Sequence, residues 1–199
     1  MKDNSREQKQ RCVFTGRVKY GEDAIKAFCN VQFAAFQGKK QLGIIILSLL
    51  MIIFGVSGKL GLAVSAIFVP LGCCMLTYIN FIPRNDAEKL IKAYGGNYPT
   101  SHYAFDGAGF DIAAGAGANR IGFDNIVRLI DDDRYFYFFA SPKVAYIVER
   151  ASLKPSEPES FKAYCAKRVG LEWTEYFPWY SPNIAARIRC RKNTKKVPK

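Results

Sequence analysis

The 199-residue chain holds a single histidine, His102, and its six cysteines (Cys12, Cys29, Cys73, Cys74, Cys165, Cys190) form neither a CxxC pair nor a regular framework. Those shortages argue against a histidine-built metal or acid–base centre and against a disulfide-stapled scaffold, leaving reduced thiols that face a cytoplasm. No Walker A, HExxH or GxSxG motif occurs. Gly115-Ala116-Gly117-Ala118-Asn119-Arg120 lacks the third glycine of a dinucleotide fingerprint and opens no helix, so it reads as a hairpin loop. No acidic residue stands between positions 42 and 82, and Lys59 is the one basic residue there. What is present is 49% hydrophobic and 14% aromatic, which excludes a wholly disordered or collagen-like chain.

The uncharged stretch divides into two apolar runs, Leu42–Val56 and Leu60–Ile82, joined through Gly55, Gly58 and Gly61. At about 1.5 Å per helical residue the second is roughly 34 Å long, enough for a hydrocarbon core of about 30 Å, and the first about 23 Å. Paired in this way they read as a transmembrane hairpin. Lys39 and Lys40 flank one end and Arg84, Lys89 and Lys92 the other, against Lys59 at the tip. The positive-inside rule therefore predicts a multi-pass cell-membrane protein with two spans and both termini cytoplasmic. Small residues (Gly61, Ala63, Ser65, Gly72) would let the helices approach closely, and no intramembrane carboxylate, histidine or arginine marks a proton or ion path.

The formal net charge is +12, with Lys+Arg 29 against Asp+Glu 17. Its location matters more than its size. From Arg187 to the end stand seven basic residues and no acid, whereas 83–186 carries 12 basic against 13 acidic. A basic groove built into the fold, as a nucleic-acid domain requires, is not indicated.

On either side of the hairpin the pattern changes. Cys12–Tyr20 alternates with a period of two, the mark of a half-buried strand. A helix follows to about Gln37, with Ile25, Phe28, Ala35 and Phe36 on its apolar face, lying at the membrane interface or packed on the soluble part. Asn85–Tyr94 reads as a short connecting helix ended by Gly95-Gly96. Six strands are then predicted at Ser101–Phe105, Gly109–Ala113, Ala118–Phe123, Ile126–Asp131, Arg134–Phe139 and Val144–Val148, separated by turn residues. A helix begins near Ser156 and Glu159, which have capping-box spacing, and Gly170 ends it. Asp131-Asp132-Asp133 reads as a solvated turn rather than a cation site. His102 reads as a strand residue.

The fold class is thus an α+β membrane protein: a two-helix transmembrane hairpin plus a small antiparallel β-barrel closed by a C-terminal helix. The divisions are 1–41 (N-terminal strand and amphipathic helix), 42–82 (hairpin), 83–96 (connecting helix), 97–170 (β domain with its helix) and 171–199 (aromatic, then basic, tail). The strand near the N-terminus needs a sheet to bury its apolar face, and the remaining strands lie beyond residue 100. This strand, or the helix after it, is therefore expected to dock there.

Ile121-Gly122-Phe123-Asp124-Asn125-Ile126, the aromatic strand Tyr135–Phe139 and Ala145-Tyr146-Ile147-Val148, in this order after two spans, resemble the YcxB-like family of bacterial membrane proteins. The resemblance implies a C-terminal domain similar to pleckstrin-homology (PH) domains and brings no catalytic residue. The chain departs from the family in Glu149-Arg150, where a Pro-Lys pair is more typical, and in the tail that follows the helix.

No catalytic, cofactor-binding or metal-ligating residue is expected, and no cofactor. The expected contact is with the bilayer and anionic lipid headgroups, through Trp173, Trp179, Tyr180, Arg187, Arg189, Arg191, Lys192, Lys195 and Lys196, because Trp and Tyr favour the interface and Lys/Arg favour anionic lipid. The expected function is a membrane-anchored, non-enzymatic cytoplasmic interaction module that binds an unidentified protein or a lipid headgroup. Nucleic acid is not the expected partner. The alternative is an accessory or regulatory subunit of a membrane transporter or membrane enzyme.

Overall fold

The computed structural model describes residues 13–57, 61–114 and 117–176. They divide into two compact units, one of residues 21–97 and one that joins the chain up to Tyr20 with the chain from Tyr98 onward.

The first unit is two long helices, α1 (Glu22–Val56) and α2 (Leu62–Tyr94). Glu22 and Asp23 occupy the first turn of α1, where carboxylates complement the helix dipole. Gly95, at φ 57°, closes α2 in the left-handed conformation. The helices run antiparallel and touch at glycines. A Cβ on Gly72 would stand 2.7 Å from Ile52 Cγ1 and 2.9 Å from the Ser48 carbonyl oxygen, and one on Gly55 would stand 2.7 Å from Val69 Cγ2. Gly72 thus has the packing role its size suggests.

Two expectations change here. The connecting helix at 85–94 is no separate element, because α2 continues through Pro70 and Pro83 without a break. The amphipathic helix likewise runs on into the first apolar segment, bent by 77° between Gly38 and Lys40. A glycine at the bend is a common cause of such a kink. Its buried residues are Ala24, Ile25, Cys29, Val31 and Phe33, so of the expected face Ile25 is buried whereas Phe28, Ala35 and Phe36 are half-buried.

Of the two helices, α2 is long and apolar enough to cross a membrane. Glu22–Gly38 and Lys40–Val56 meet the same test when taken together across the bend. Only 11% of the apolar window of α2 is buried inside the protein.

The second unit holds two four-stranded sheets. In the first, β1 (Phe14–Lys19), β2 (Thr100–Phe105), β3 (Gly109–Ala114) and β4 (Gly117–Gly122) lie in that order, all antiparallel. The alternation of the N-terminal segment survives as burial of Phe14, Gly16 and Val18, with Thr15, Arg17 and Lys19 exposed. As its unpaired apolar face demands, the strand pairs with a partner some eighty residues on, Phe14 opposite Phe105 and Lys19 opposite Thr100.

In the second sheet the order is β7 (Val144–Glu149), β6 (Tyr135–Ser141), β5 (Arg128–Asp131), β8 (Trp173–Glu175). The last of these pairs parallel to β5. α3 (Pro158–Val169) precedes it and ends at Gly170, φ 73°. Its N-cap is Glu157, with no side-chain cap, so the Ser156–Glu159 capping box does not form.

Phe161 carries α3 into the core. Its ring centroid lies 5.3 Å from Phe14, 5.0 Å from Phe105, 5.1 Å from Phe136 and 6.1 Å from Phe138, joining residues of both sheets.

Among the described residues the sheets do not close into a barrel, which corrects the expected architecture. The reason lies at β1. Gly16 faces Val148 of β7 so closely that a Cβ would stand 2.5 Å from Val148 Cγ1. That is a side-chain contact, not a ladder. The free backbone edge of β1 bonds instead to the segment after β7: Thr15 N–H donates to the Lys154 carbonyl and Lys154 N–H to the Thr15 carbonyl, both at 2.8 Å.

Candidate functional site

Trp173 is the one expected membrane-contact residue among those described. It sits in β8, three residues with no alternation to betray a strand. Its ring packs 5.4 Å from both Phe136 and Phe138, and its Nε1 donates to the Lys162 carbonyl at 2.9 Å. The indole is thus engaged within the domain. Trp179, Tyr180, Arg187, Arg189, Arg191, Lys192, Lys195 and Lys196 lie outside the described residues.

The acidic turn is not simply a solvated tip. Asp132 does make a turn, its Oδ1 accepting the N–H groups of Arg134 (2.8 Å) and Tyr135 (2.6 Å). The Tyr137 hydroxyl donates to its other oxygen at 2.7 Å, and burial first, then this carboxylate, pushes the phenol's pKa up. Asp131 is different. Its side chain is 3% exposed, and its Oδ2 receives Lys162 Nζ at 2.8 Å and Arg150 Nη2 at 3.1 Å. The Arg150 guanidinium also stacks 4.8 Å above the Phe136 ring. A buried carboxylate needs such partners, and the cluster ties β5 to the end of β7 and to α3. Among the described residues no group of three or more His, Cys, Asp or Glu is placed to hold a metal ion.

A cleft of ≈ 540 Å³ opens on the outer face of the first sheet. Register builds it: Arg17, His102, Ala113 and Ala118 form one cross-strand row, and Thr15, Ala104, Asp111 and Arg120 the next. Alanines make the floor shallow, and Ala151, Ser152 and Lys154 contribute to the lining. Ser152 fixes this lip to β1, its Oγ accepting Arg17 N–H at 2.8 Å and lying 2.7 Å from the Arg17 carbonyl. Of the charged groups at the cleft, Asp111 is paired to Arg120 at 3.3 Å. Neither Arg17 nor Lys154 has an ion-pair partner among the described residues.

Sequence reasoning found His102 but not this site, because Arg17 and Lys154 reach it from distant parts of the chain. Alternation places Arg17 on an outward face. Nothing local says that Lys154 joins it.

An α+β chain with a two-sheet unit and a pair of long helices, one apolar enough to span a membrane, is the class these features define. Residues 105–165 match the family model described as YcxB-like protein. The resemblance carried by Ile121–Ile126, Tyr135–Phe139 and Ala145–Val148 is therefore shown over that segment. A search of curated proteins and one of solved structures find no match.

Proposed function

We propose that the protein is a membrane-anchored, non-enzymatic interaction module. Residues 42–82 cross the membrane twice, both termini are cytoplasmic, and the two-sheet domain is a PH-like platform for a protein or a lipid headgroup. The observation that supports the anchor is the surface of the helix pair. Ile46, Leu47, Ile53, Phe54, Leu62 and Ile67 are exposed at 50–89% of their full area, far more apolar surface than a soluble domain leaves open. In the domain, the cleft and the tail offer cationic groups for an acidic partner. Interfacial Trp179 and Tyr180 and the basic residues from Arg187 onward would add a second membrane contact.

The test is photo-crosslinking of the full chain in native membranes, combined with external protease. Adducts between the two-sheet domain and a protein or lipid, with a C-terminal tag spared in intact spheroplasts, are expected. Release of the chain by a carbonate wash, or loss of the tag to external protease, would overturn the reading.

A further inference from the structure

We infer that the cleft on the first sheet is a binding site for a phosphate-type oxyanion, held by Arg17, His102 and Lys154. The inference stands on the cleft alone and does not depend on the helices crossing a membrane.

Three observations carry it. The first is an uncompensated charge. Arg17 and Lys154 both line the cleft without an ion-pair partner among the described residues, while the carboxylate that reaches it, Asp111, is already paired with Arg120. Arg120 is in turn shared with Asp106. The second is register. Arg17 stands directly opposite His102 on the same face, where side chains are about 5 Å apart at Cβ. An imidazole N–H there lies beside a guanidinium, and one anion between them would accept from both. The third is that the backbone carrying the donors is fixed in advance. Ser152 holds the backbone of Arg17 on both its N–H and C=O sides, and the paired hydrogen bonds of Thr15 with Lys154 hold the lysine's backbone beside it. A site already ordered spends little on binding.

The chemistry favours a tetrahedral oxyanion over a carboxylate. A guanidinium and an ammonium line the cleft with donors only and the imidazole adds a further N–H, and a phosphate group supplies enough oxygens to accept from all three. The floor suits it as well. Ala104, Ala113 and Ala118 leave room above the sheet for the anion and its substituent.

Because His102 is the only histidine in the chain, its ring signals report on the cleft without assignment ambiguity. The full chain, selectively labelled at histidine, is held in a neutral, phosphate-free detergent at constant pH near 6.5. It is titrated with inorganic phosphate, with glycerol 3-phosphate, and with sodium chloride at matched ionic strength. The expected result is a saturable movement of the ring signals with either phosphate and none with chloride. Arg17→Gln and Lys154→Gln are each expected to raise the half-saturating concentration roughly tenfold or more, as loss of a charged hydrogen bond requires. Both positions are exposed, so far-UV circular dichroism should be unchanged. Tighter binding of glycerol 3-phosphate points to a phosphorylated headgroup as the source, and tighter binding of inorganic phosphate to the free anion. No movement, movement equal to that in chloride, or a response unaffected by both substitutions would overturn the site.

Discussion

The helical unit and the two-sheet unit contain the same kinds of apolar residue and dispose of them in opposite ways. In the two-sheet unit, Phe105, Phe110, Phe136, Phe138 and Phe161 are all 0% exposed. On the helices, Ile53 is 62% and Leu62 89% exposed. A chain folding wholly in water gains by hiding such surface. Leaving it open over two helices while packing the phenylalanines shut elsewhere implies two different surroundings. Small residues join the helices, where backbone approach matters, whereas large rings fill the sheets, where removal from water does.

Substitution should break the two regions unequally. Phe161→Ala leaves a hole among four rings that belong to both sheets. The loss should be about 3–5 kcal/mol, read as a lower midpoint of tryptophan-fluorescence unfolding in detergent. Leu47→Ala, at a side chain 50% exposed, should change stability by no more than about 0.5 kcal/mol. Equal losses would mean that the helix surface is an ordinary protein core, and the contrast would collapse.

A finer contrast lies within the helices. Gly72→Val forces atoms into the space held by Ile52 and the Ser48 carbonyl and should cost about 1–3 kcal/mol. Gly43→Ala meets nothing within 4 Å and should stabilise α1 by roughly 0.5–1 kcal/mol. Helix melts followed by circular dichroism separate the two. Indifference to Gly72→Val would show that the two helices do not rely on that close approach.

Much of this division was legible along the chain. The apolar runs, the alternation of Phe14–Lys19 and most strands follow from spacing, and even the docking of β1 follows from an apolar face that needs cover. What escaped were pairings set by long-range contact. The failure of the sheets to close depends on Gly16 meeting Val148 and on Ser152 reaching Arg17, 135 positions away. Asp131 reads as a turn residue until Arg150 and Lys162, 19 and 31 positions on, fold over it. β8 is too short to show a period, so the Trp173 ring looked free for a membrane while Phe136 and Phe138 were waiting for it. The cleft depended on the same kind of meeting, with Lys154 brought to the strand that carries Arg17.

The smallest expected effect concerns how the first sheet holds its own turn. Asp106 Oδ1 accepts the N–H groups of Ala108 (2.9 Å) and Gly109 (3.0 Å), and Oδ2 pairs with Arg120. Burial alone would raise the carboxyl's pKa, but the two amides and the guanidinium outweigh it and hold the group below its ordinary value. A depressed carboxylate stabilises the fold at pH values above its unfolded pKa, about 3.9. That contribution is lost as pH falls through the lower, folded value. Arg120 is half exposed, so after solvent screening the contribution is at most about 1 kcal/mol. Asp106→Asn retains an oxygen for the amides and removes the charge. It should therefore lower stability slightly at neutral pH and leave the acid limb, below about pH 4, shallower than in the unmodified chain. Parallel acid limbs in the two proteins would mean that the charge of Asp106 beside Arg120 adds nothing to the stability of the turn.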